Sequence, residues 1–360
     1  MTMSVTEAPT PLAAGSAPDT ATGRTLVDVR DLRVAFTSED GTVHAVNGVD
    51  FTLDRGEVMC ILGESGSGKS VTMRALMKLL PERKTTITGS IMVDGHDIIA
   101  LDDAAMSDLR GPTVSMIFQE PMTAFDPVFT VGDQIAEAIR RHESISDADA
   151  RKRALELFEL VQIPSANRRL DNYPFEMSGG MRQRAMIALA LSCRPSLLLA
   201  DEPTTALDAT VQIQILLLLR QLQRDLDMAV VFVTHDIGVA VEIGDRIAVM
   251  YAGRFVETGT VRNVFGHPAH PYTRGLMNST VKGSMRGTRL QAIDGSPPDL
   301  SRMPPGCAFA PRCGLAEPVC FEQYPATESV GERHVAACIH ARRLVATAPG
   351  EAITKAEASS

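Results

Sequence analysis

Gly63-Glu64-Ser65-Gly66-Ser67-Gly68-Lys69-Ser70 follows directly on the apolar run Val58-Met59-Cys60-Ile61-Leu62. An apolar run of that length reads as a buried strand, and the glycines read as a tight turn into a helix. A strand, a glycine-rich turn and a helix start in this order aim several backbone N–H groups and the positive end of a helix at one point. That arrangement suits an anionic triphosphate. In this pattern Lys69 reaches the β- and γ-phosphates, and the Ser70 hydroxyl holds Mg²⁺. An ordinary glycine-rich turn would not account for Lys and Ser standing together where the helix begins.

A second apolar run, Leu197-Leu198-Leu199-Ala200, ends in Asp201-Glu202. Two carboxylates at the tip of a buried strand are costly unless a cation or a polarised water sits there. Beside a phosphate loop, Asp201 falls near the Mg²⁺ shell and Glu202 faces the attacking water as general base. His235 follows the strand Ala229 to Thr234 and is placed to bridge the γ-phosphate and Glu202. Gln119 ends the short strand Val114 to Phe118, where its amide touches both Mg²⁺ and water. Ser178-Gly179-Gly180 opens a helix predicted from Arg182 to Cys193, a second anion-binding helix start more than a hundred residues from the first. Two such starts need either two ligands or one ligand shared between two subunits.

The remaining pattern is α/β. Leu26 to Phe36 and Val43 to Leu53 alternate as strands, Lys69 to Leu80 is a helix stopped by Pro81, and Ile87 to Val93 is a further strand. From Val131 to about Ile163 the apolar period becomes helical, and Thr210 to Leu226 is a later helix. Short apolar runs bounded by helices predict a covered parallel sheet. The chain of 360 residues carries 44% apolar and 22% charged residues, enough for a sizeable core. Its net charge of −9 argues against a nucleic-acid surface. No apolar run approaches the ~20 residues of a membrane span; the longest candidate, Ile213 to Leu219, ends at Arg220. The first 26 residues lack the basic start and apolar block of a signal peptide and read as a flexible tail. The expected location is cytosolic, with any membrane role exercised through a partner.

In the order of these motifs the chain resembles the ATP-binding subunits of ABC transporters, over roughly residues 27 to 280. The resemblance implies a P-loop NTPase fold of the ABC type, with an antiparallel β subdomain and a helical subdomain at about 120–180. It makes Gly63 to Ser70, with Val71 behind it, the Walker A loop, Leu197 to Asp201 Walker B, and Gln119 the Q-loop glutamine. Glu202 becomes the catalytic glutamate, Asp208 belongs to the D-loop Ala206-Leu207-Asp208, and His235 is the switch histidine. Phe36 matches the aromatic that stacks on adenine. Ser178, Gly179 and Gly180, with Met181 where the family usually has Gln, form the signature that grips ATP in trans. Two such domains then meet head to tail with ATP between one Walker A loop and the opposing signature.

A narrower resemblance is to the oligopeptide/dipeptide importer ATPases, a group with nickel-importing relatives. It rests on Ser178 to Arg184, Ala200 to Asp208, His270-Pro271-Tyr272-Thr273, and Gly306-Cys307-Ala308-Phe309-Ala310-Pro311-Arg312-Cys313. It implies a peripheral subunit on the cytoplasmic membrane face, with a second homologous ATPase, two permeases and an extracytoplasmic peptide-binding protein. Glu120 to Val131 matches the region that receives the permease's coupling helix. The alternatives are a nickel or other small-solute importer, a soluble ABC ATPase, and an iron–sulfur sensor whose ATPase is secondary. One ATPase half and no heptad run speak against the soluble class.

Cys307, Cys313, Cys320 and Cys338 are separated by five, six and seventeen residues in a loop-rich, Pro-rich stretch, while Cys60 and Cys193 lie alone in apolar segments. Four thiols so grouped in a cytosolic protein favour metal over disulfides. Zinc prefers short Cys-x₂₋₄-Cys turns that bring sulfurs to ~2.3 Å of one ion, and this stretch has none. Wider spacing suits a [4Fe–4S] cubane. Zinc, free thiols or a disulfide are the alternatives, with His334 and His340 as substitute ligands or surface polar groups. The expected organisation is therefore a disordered tail over 1–26, the ATPase domain over 27–280, a Cys-rich loop extension over 281–343 and a disordered tail over 344–360.

Overall fold

A computed structural model of the chain describes residues 24–39, 41–205, 207–279 and 293–347. It runs β1 (Thr25–Ser38), β2 (Gly41–Asp54), β3 (Val58–Leu62), α1 (Lys69–Leu76), β4 (Thr85–Val93), β5 (His96–Asp97), α2 (Asp103–Leu109) and β6 (Val114–Ile117). A helical stretch follows, with α3 (Val131–His142), α4 (Asp147–Leu160), α5 (Ala166–Arg169) and α6 (Gly179–Leu191). Then come β7 (Leu197–Asp201), α7 (Ala209–Asp225), β8 (Ala229–Thr234), α8 (Ile237–Ile243), β9 (Arg246–Tyr251), β10 (Arg254–Thr260), α9 (Val261–Gly266) and α10 (Pro271–Asn278). The C-terminal part carries α11 (Pro318–Glu322), β11 (Glu328–Gly331), β12 (His334–Ala336) and α12 (Ala341–Ala346).

Two sheets are formed. The smaller is antiparallel in the order β2-β1-β4-β5; the larger runs β11-β12-β10-β9-β3-β8-β7-β6. Strands β9, β3, β8, β7 and β6 are mutually parallel, whereas β10, β12 and β11 join antiparallel. Every residue of β3, β7 and β8 is buried, because both faces of this sheet are covered. Strand β3 shows how: Met59 and Ile61 pack with the antiparallel sheet and α1, while Val58, Cys60 and Leu62 pack with the helical side. Alternation along one strand thus divides the interior into two cores.

Several elements differ from the sequence reading. Helix α1 ends at Leu76, not Leu80: Lys78 takes a left-handed φ of 49°, its N–H bonds Ala75, and Leu79 N–H reaches back to Arg74 O at 2.9 Å. This is a Schellman stop, with Lys where glycine is usual. Helix α6 begins at Gly179, three residues before the predicted start, because Ser178 itself caps it through Met181 N–H. The extension expected as loops contributes β11 and β12, which lengthen the central sheet through β10. Leu26 lies in β1 and Leu344 in α12, both buried, so the fold includes residues assigned beforehand to the two tails. Residues 1–23 and 348–360, and the 280/281 boundary, lie outside the described residues.

Candidate functional site

The phosphate loop is built on β3. Gly63 admits no side chain, since a Cβ there would stand 2.3 Å from Met250 O. Gly68 has φ +106° and would place a Cβ 2.4 Å from Ala45 O. The loop therefore packs its backbone against β2 and β9 on its way into α1. Lys69 folds over the loop, donating from Nζ to Gly63 O at 2.8 Å and Glu64 O at 2.9 Å. Burial lowers its pKa, and the carboxylates of Glu202 and Asp201 act against that shift. Ser67 Oγ is buried without a hydrogen-bond partner among the described residues. A hydroxyl orphaned inside a phosphate loop is a group that a bound oxyanion satisfies.

Parallel pairing of β3 with β8 and of β8 with β7 brings the Asp201-Glu202 end beside this loop. Ser70 Oγ donates to Asp201 Oδ1 at 2.9 Å. Burial raises the Asp201 carboxyl above its ordinary range, opposed by the Ser70 bond and by Arg74. A hydroxyl and a carboxylate so joined fit the Mg²⁺ position expected of them. Glu202 adopts φ +46°, which strains a residue with a side chain but throws its carboxylate off the strand end. Three groups meet its Oε2: Thr205 Oγ1 at 2.9 Å, His235 Nδ1 at 3.2 Å and Gln119 Nε2 at 3.4 Å. Gln119 and His235, each from another strand end, thus both reach Glu202. Thr205 was quoted in the sequence motif but given no role.

The other expected residues stand apart from this group. Ser178 is exposed, and its Oγ accepts from Met181 N–H at 3.3 Å. Gly179 has nothing within 4 Å of where a Cβ would stand. The open helix start of α6 thus faces outward. Asp208 caps α7 through Val211 N–H at 3.0 Å, and Ala206 lies outside the described residues. Phe36 is half-buried on β1, paired with Val43 and Thr85, and Val71 packs on the core beneath the loop.

Cys307, Cys313, Cys320 and Cys338 line one largely apolar cavity, together with His270 and His340. All four are free thiols. Cys313 Sγ accepts from Leu315 N–H and Cys338 Sγ from His340 N–H, both at 3.4 Å. Burial raises the Cys307 thiol and pushes Cys313 to about 11 and Cys338 to about 12. The soft donor set and the N–H···S bonds suit a thiolate-bound centre. Yet no three His, Cys, Asp or Glu groups among the described residues are placed to hold a single metal ion. The metal centre expected here is therefore not a preformed single-ion site. Neither histidine is a surface group: His334 bonds Glu257 at 2.8 Å and His340 bonds Leu315 O at 2.9 Å, both buried.

Residues 46–205 match the ABC transporter family, and residues 256–320 match the oligopeptide/dipeptide transporter C-terminal region. The chain is 48% identical over 314 residues to the dipeptide transport ATP-binding protein DppD of Bacillus subtilis, covering 87% of this chain and 94% of that one. It is 47% identical to the oligopeptide transport ATP-binding protein OppD of Salmonella typhimurium, over 87% of this chain and 93% of that one. Among solved structures it resembles the dimeric post-hydrolysis state of the ATP-binding cassette MJ0796 bound to ADP and Pi. That match has a TM-score of 0.60 and 30% identity, covering 66% of this chain and 99% of the other.

Proposed function

The chain belongs to the ATP-binding subunits of ABC transporters, and from that premise we propose that it hydrolyses ATP to drive peptide import through a membrane permease. The observation that carries the reading is the convergence of Gln119, Thr205 and His235 on Glu202 Oε2, one residue beyond an Asp201 bonded to Ser70 of the phosphate loop. Peptide as cargo is supported by the C-terminal region and by the printed names of the relatives.

In this reading ATP lies along Gly63 to Ser70 with adenine against Phe36. Lys69 would leave the carbonyls of Gly63 and Glu64 for the β- and γ-phosphates, and Ser70, Asp201 and Gln119 would hold Mg²⁺, which would supply charge neutralisation at the phosphates. Glu202 takes the proton of the attacking water while His235 holds its carboxylate in line with the γ-phosphate. The outward start of α6, at Ser178 to Met181, serves the ATP of a second subunit, and Asp208 stands beside it at the D-loop. Closing that clamp excludes water and completes the charge neutralisation.

The partners follow from this reading: a homologous second ATPase, two permeases and an extracytoplasmic peptide-binding protein. Within Glu120 to Val131, Met122, Val128 and Phe129 are exposed, and Tyr173 stacks on the exposed Phe175 at 5.5 Å. Such apolar surface suits a permease helix. Among the described residues no helix is long and apolar enough to cross a membrane, so attachment at the cytoplasmic face would run through that contact. The ATPase domain then spans 27–280 with its helical subdomain at about 120–180. In the extension from 281, Cys307, Cys313, Cys320 and Cys338 would hold a [4Fe–4S] centre, a reading supported by the shared cavity and the N–H···S bonds.

The test is ATPase activity of the membrane complex with and without a peptide-loaded binding protein. Stimulation that disappears in Glu202→Gln supports the reading. A chain fully active alone and indifferent to permease overturns the transport role.

A further inference from the structure

The phosphate loop is tied to the cysteine-bearing extension through Arg312 and to α10 through Tyr272. Arg312 donates from Nη1 to Glu64 Oε2 at 2.7 Å and from Nη2 to Glu64 Oε1 at 3.1 Å, a two-pronged pair across 248 residues of chain. The Arg312 side chain is only 5% exposed, and Nη1 also reaches Tyr251 Oη at 3.2 Å. Glu64 N–H, in turn, donates to Tyr272 Oη at 2.9 Å. Glu64 is thus gripped by side chain and backbone together, within the loop that leads from β3 into α1.

Arg312 stands on a rigid turn. Ala310 N–H bonds Cys307 O, Arg312 N–H bonds Phe309 O, and Cys313 N–H bonds Ala310 O. Phe309 on that turn packs edge-on against Tyr251 at 5.4 Å and against Tyr272 at 5.4 Å, joining both contacts in one aromatic cluster. A buried guanidinium fork held on a half-buried carboxylate is geometrically specific, and a small displacement of either partner breaks one prong. Cys307 and Cys313 bracket that turn, so the thiol cavity, Arg312 and Glu64 are joined by one continuous set of contacts.

We infer that Arg312 is a positioning residue for the nucleotide loop, and that through it the state of the thiol cavity sets how tightly the chain holds ATP. The inference rests on Gly63 to Ser70 being the ATP loop.

The test measures binding of a fluorescent ATP analogue to the full-length purified chain, with thermal unfolding recorded in parallel. Glu64→Gln keeps shape but loses charge, and is expected to raise Kd about three- to tenfold at nearly unchanged Tm. Arg312→Ala should raise Kd by a similar factor, with a lower Tm because the guanidinium also bonds Asp294 O and Ile293 O; Arg312→Lys should fall between, and the Glu64→Gln/Arg312→Ala pair should bind ATP no worse than either alone. Cys313→Ser should weaken ATP binding in the parent chain but not in one already carrying Arg312→Ala. Unchanged Kd in Glu64→Gln, or additive effects in either pair, overturns the inference. Lys69→Ala is the reference: if it still binds ATP as the parent does, the loop assignment itself has failed. If Lys69→Ala loses binding while Glu64→Gln does not, only the positioning role fails.

Discussion

Ser70 Oγ donates to Asp201 Oδ1 at 2.9 Å, closing a hydrogen bond between residues 131 positions apart. The bond joins the first turn of α1 to the tip of β7, so a cation placed there would be held by both halves of the site. Asp201 is 2% exposed, and its carboxyl is raised above the ordinary 3.8 chiefly by burial. The native state therefore binds this proton more tightly than the unfolded chain does. Stability from this group is full below the ordinary carboxylate range and is lost as pH rises through its native value. At neutral pH the ligand-free chain bears that cost.

Asp201→Asn should remove it while keeping an acceptor for Ser70. Calorimetry of the nucleotide-free variant is expected to show Tm raised by about 2 °C at neutral pH, with the gain shrinking as the buffer is acidified. Mg²⁺-dependent hydrolysis should fall by about 100-fold or more in the same variant. A lower Tm at neutral pH would show that the carboxylate is stabilising there.

Glu202 is held by Thr205, His235 and Gln119, so charge removal should act on chemistry and leave nucleotide binding intact. Glu202→Gln is expected to lower kcat by about 100-fold or more with ATP Kd within about twofold of the parent. Thr205→Val should cost less, about tenfold, because it loosens the carboxylate without removing it. Comparable losses in both would mean that orientation outweighs proton transfer.

The phosphate loop and the Asp201-Glu202 strand end were legible because each is local: apolar runs, glycines and carboxylates adjoin in sequence. The end of α1 was not, since Lys78 takes a left-handed stop that carries no glycine signal. Ser178-Gly179-Gly180 is expected to precede a helix at Arg182, yet the Ser178 side chain caps α6 from Gly179, a start that Ser-Gly-Gly alone does not mark. The joining of β12 to β10 and the Arg312–Glu64 pair escaped because they depend on chain returning from far away. Spacing within the Cys-rich stretch could suggest ligands, but not that its arginine reaches the phosphate loop.

Gly179 offers a clean probe of the proposed clamp. Nothing lies within 4 Å of its Cβ position, and its φ needs no glycine, so the isolated chain should tolerate a long side chain there. Gly179→Arg is expected to keep Tm and single-chain ATP binding, while hydrolysis by the assembled complex falls by about 100-fold or more as the guanidinium fills the opposite jaw. Hydrolysis at the parent rate would remove α6 from the catalytic interface.

His270 supplies a stability test in the acid range. Its ring is buried, Nδ1 accepts from Tyr272 N–H at 3.0 Å as the cap of α10, and burial drives its pKa from 6.5 to about 3. The unfolded chain takes up a proton near 6.5 that the folded chain refuses. The stability from keeping His270 neutral is thus fully present above 6.5 and is lost as pH falls from there toward about 3. The slope for one such group approaches about 1.4 kcal/mol per pH unit. His270→Asn keeps an acceptor for the cap but cannot be protonated. Denaturant unfolding between pH 7 and pH 5 should therefore show a shallower pH dependence in the variant, by up to about 1.4 kcal/mol per unit. An identical slope in both proteins would mean that the folded chain accepts the proton after all, which requires the ring to reach water or an acidic partner.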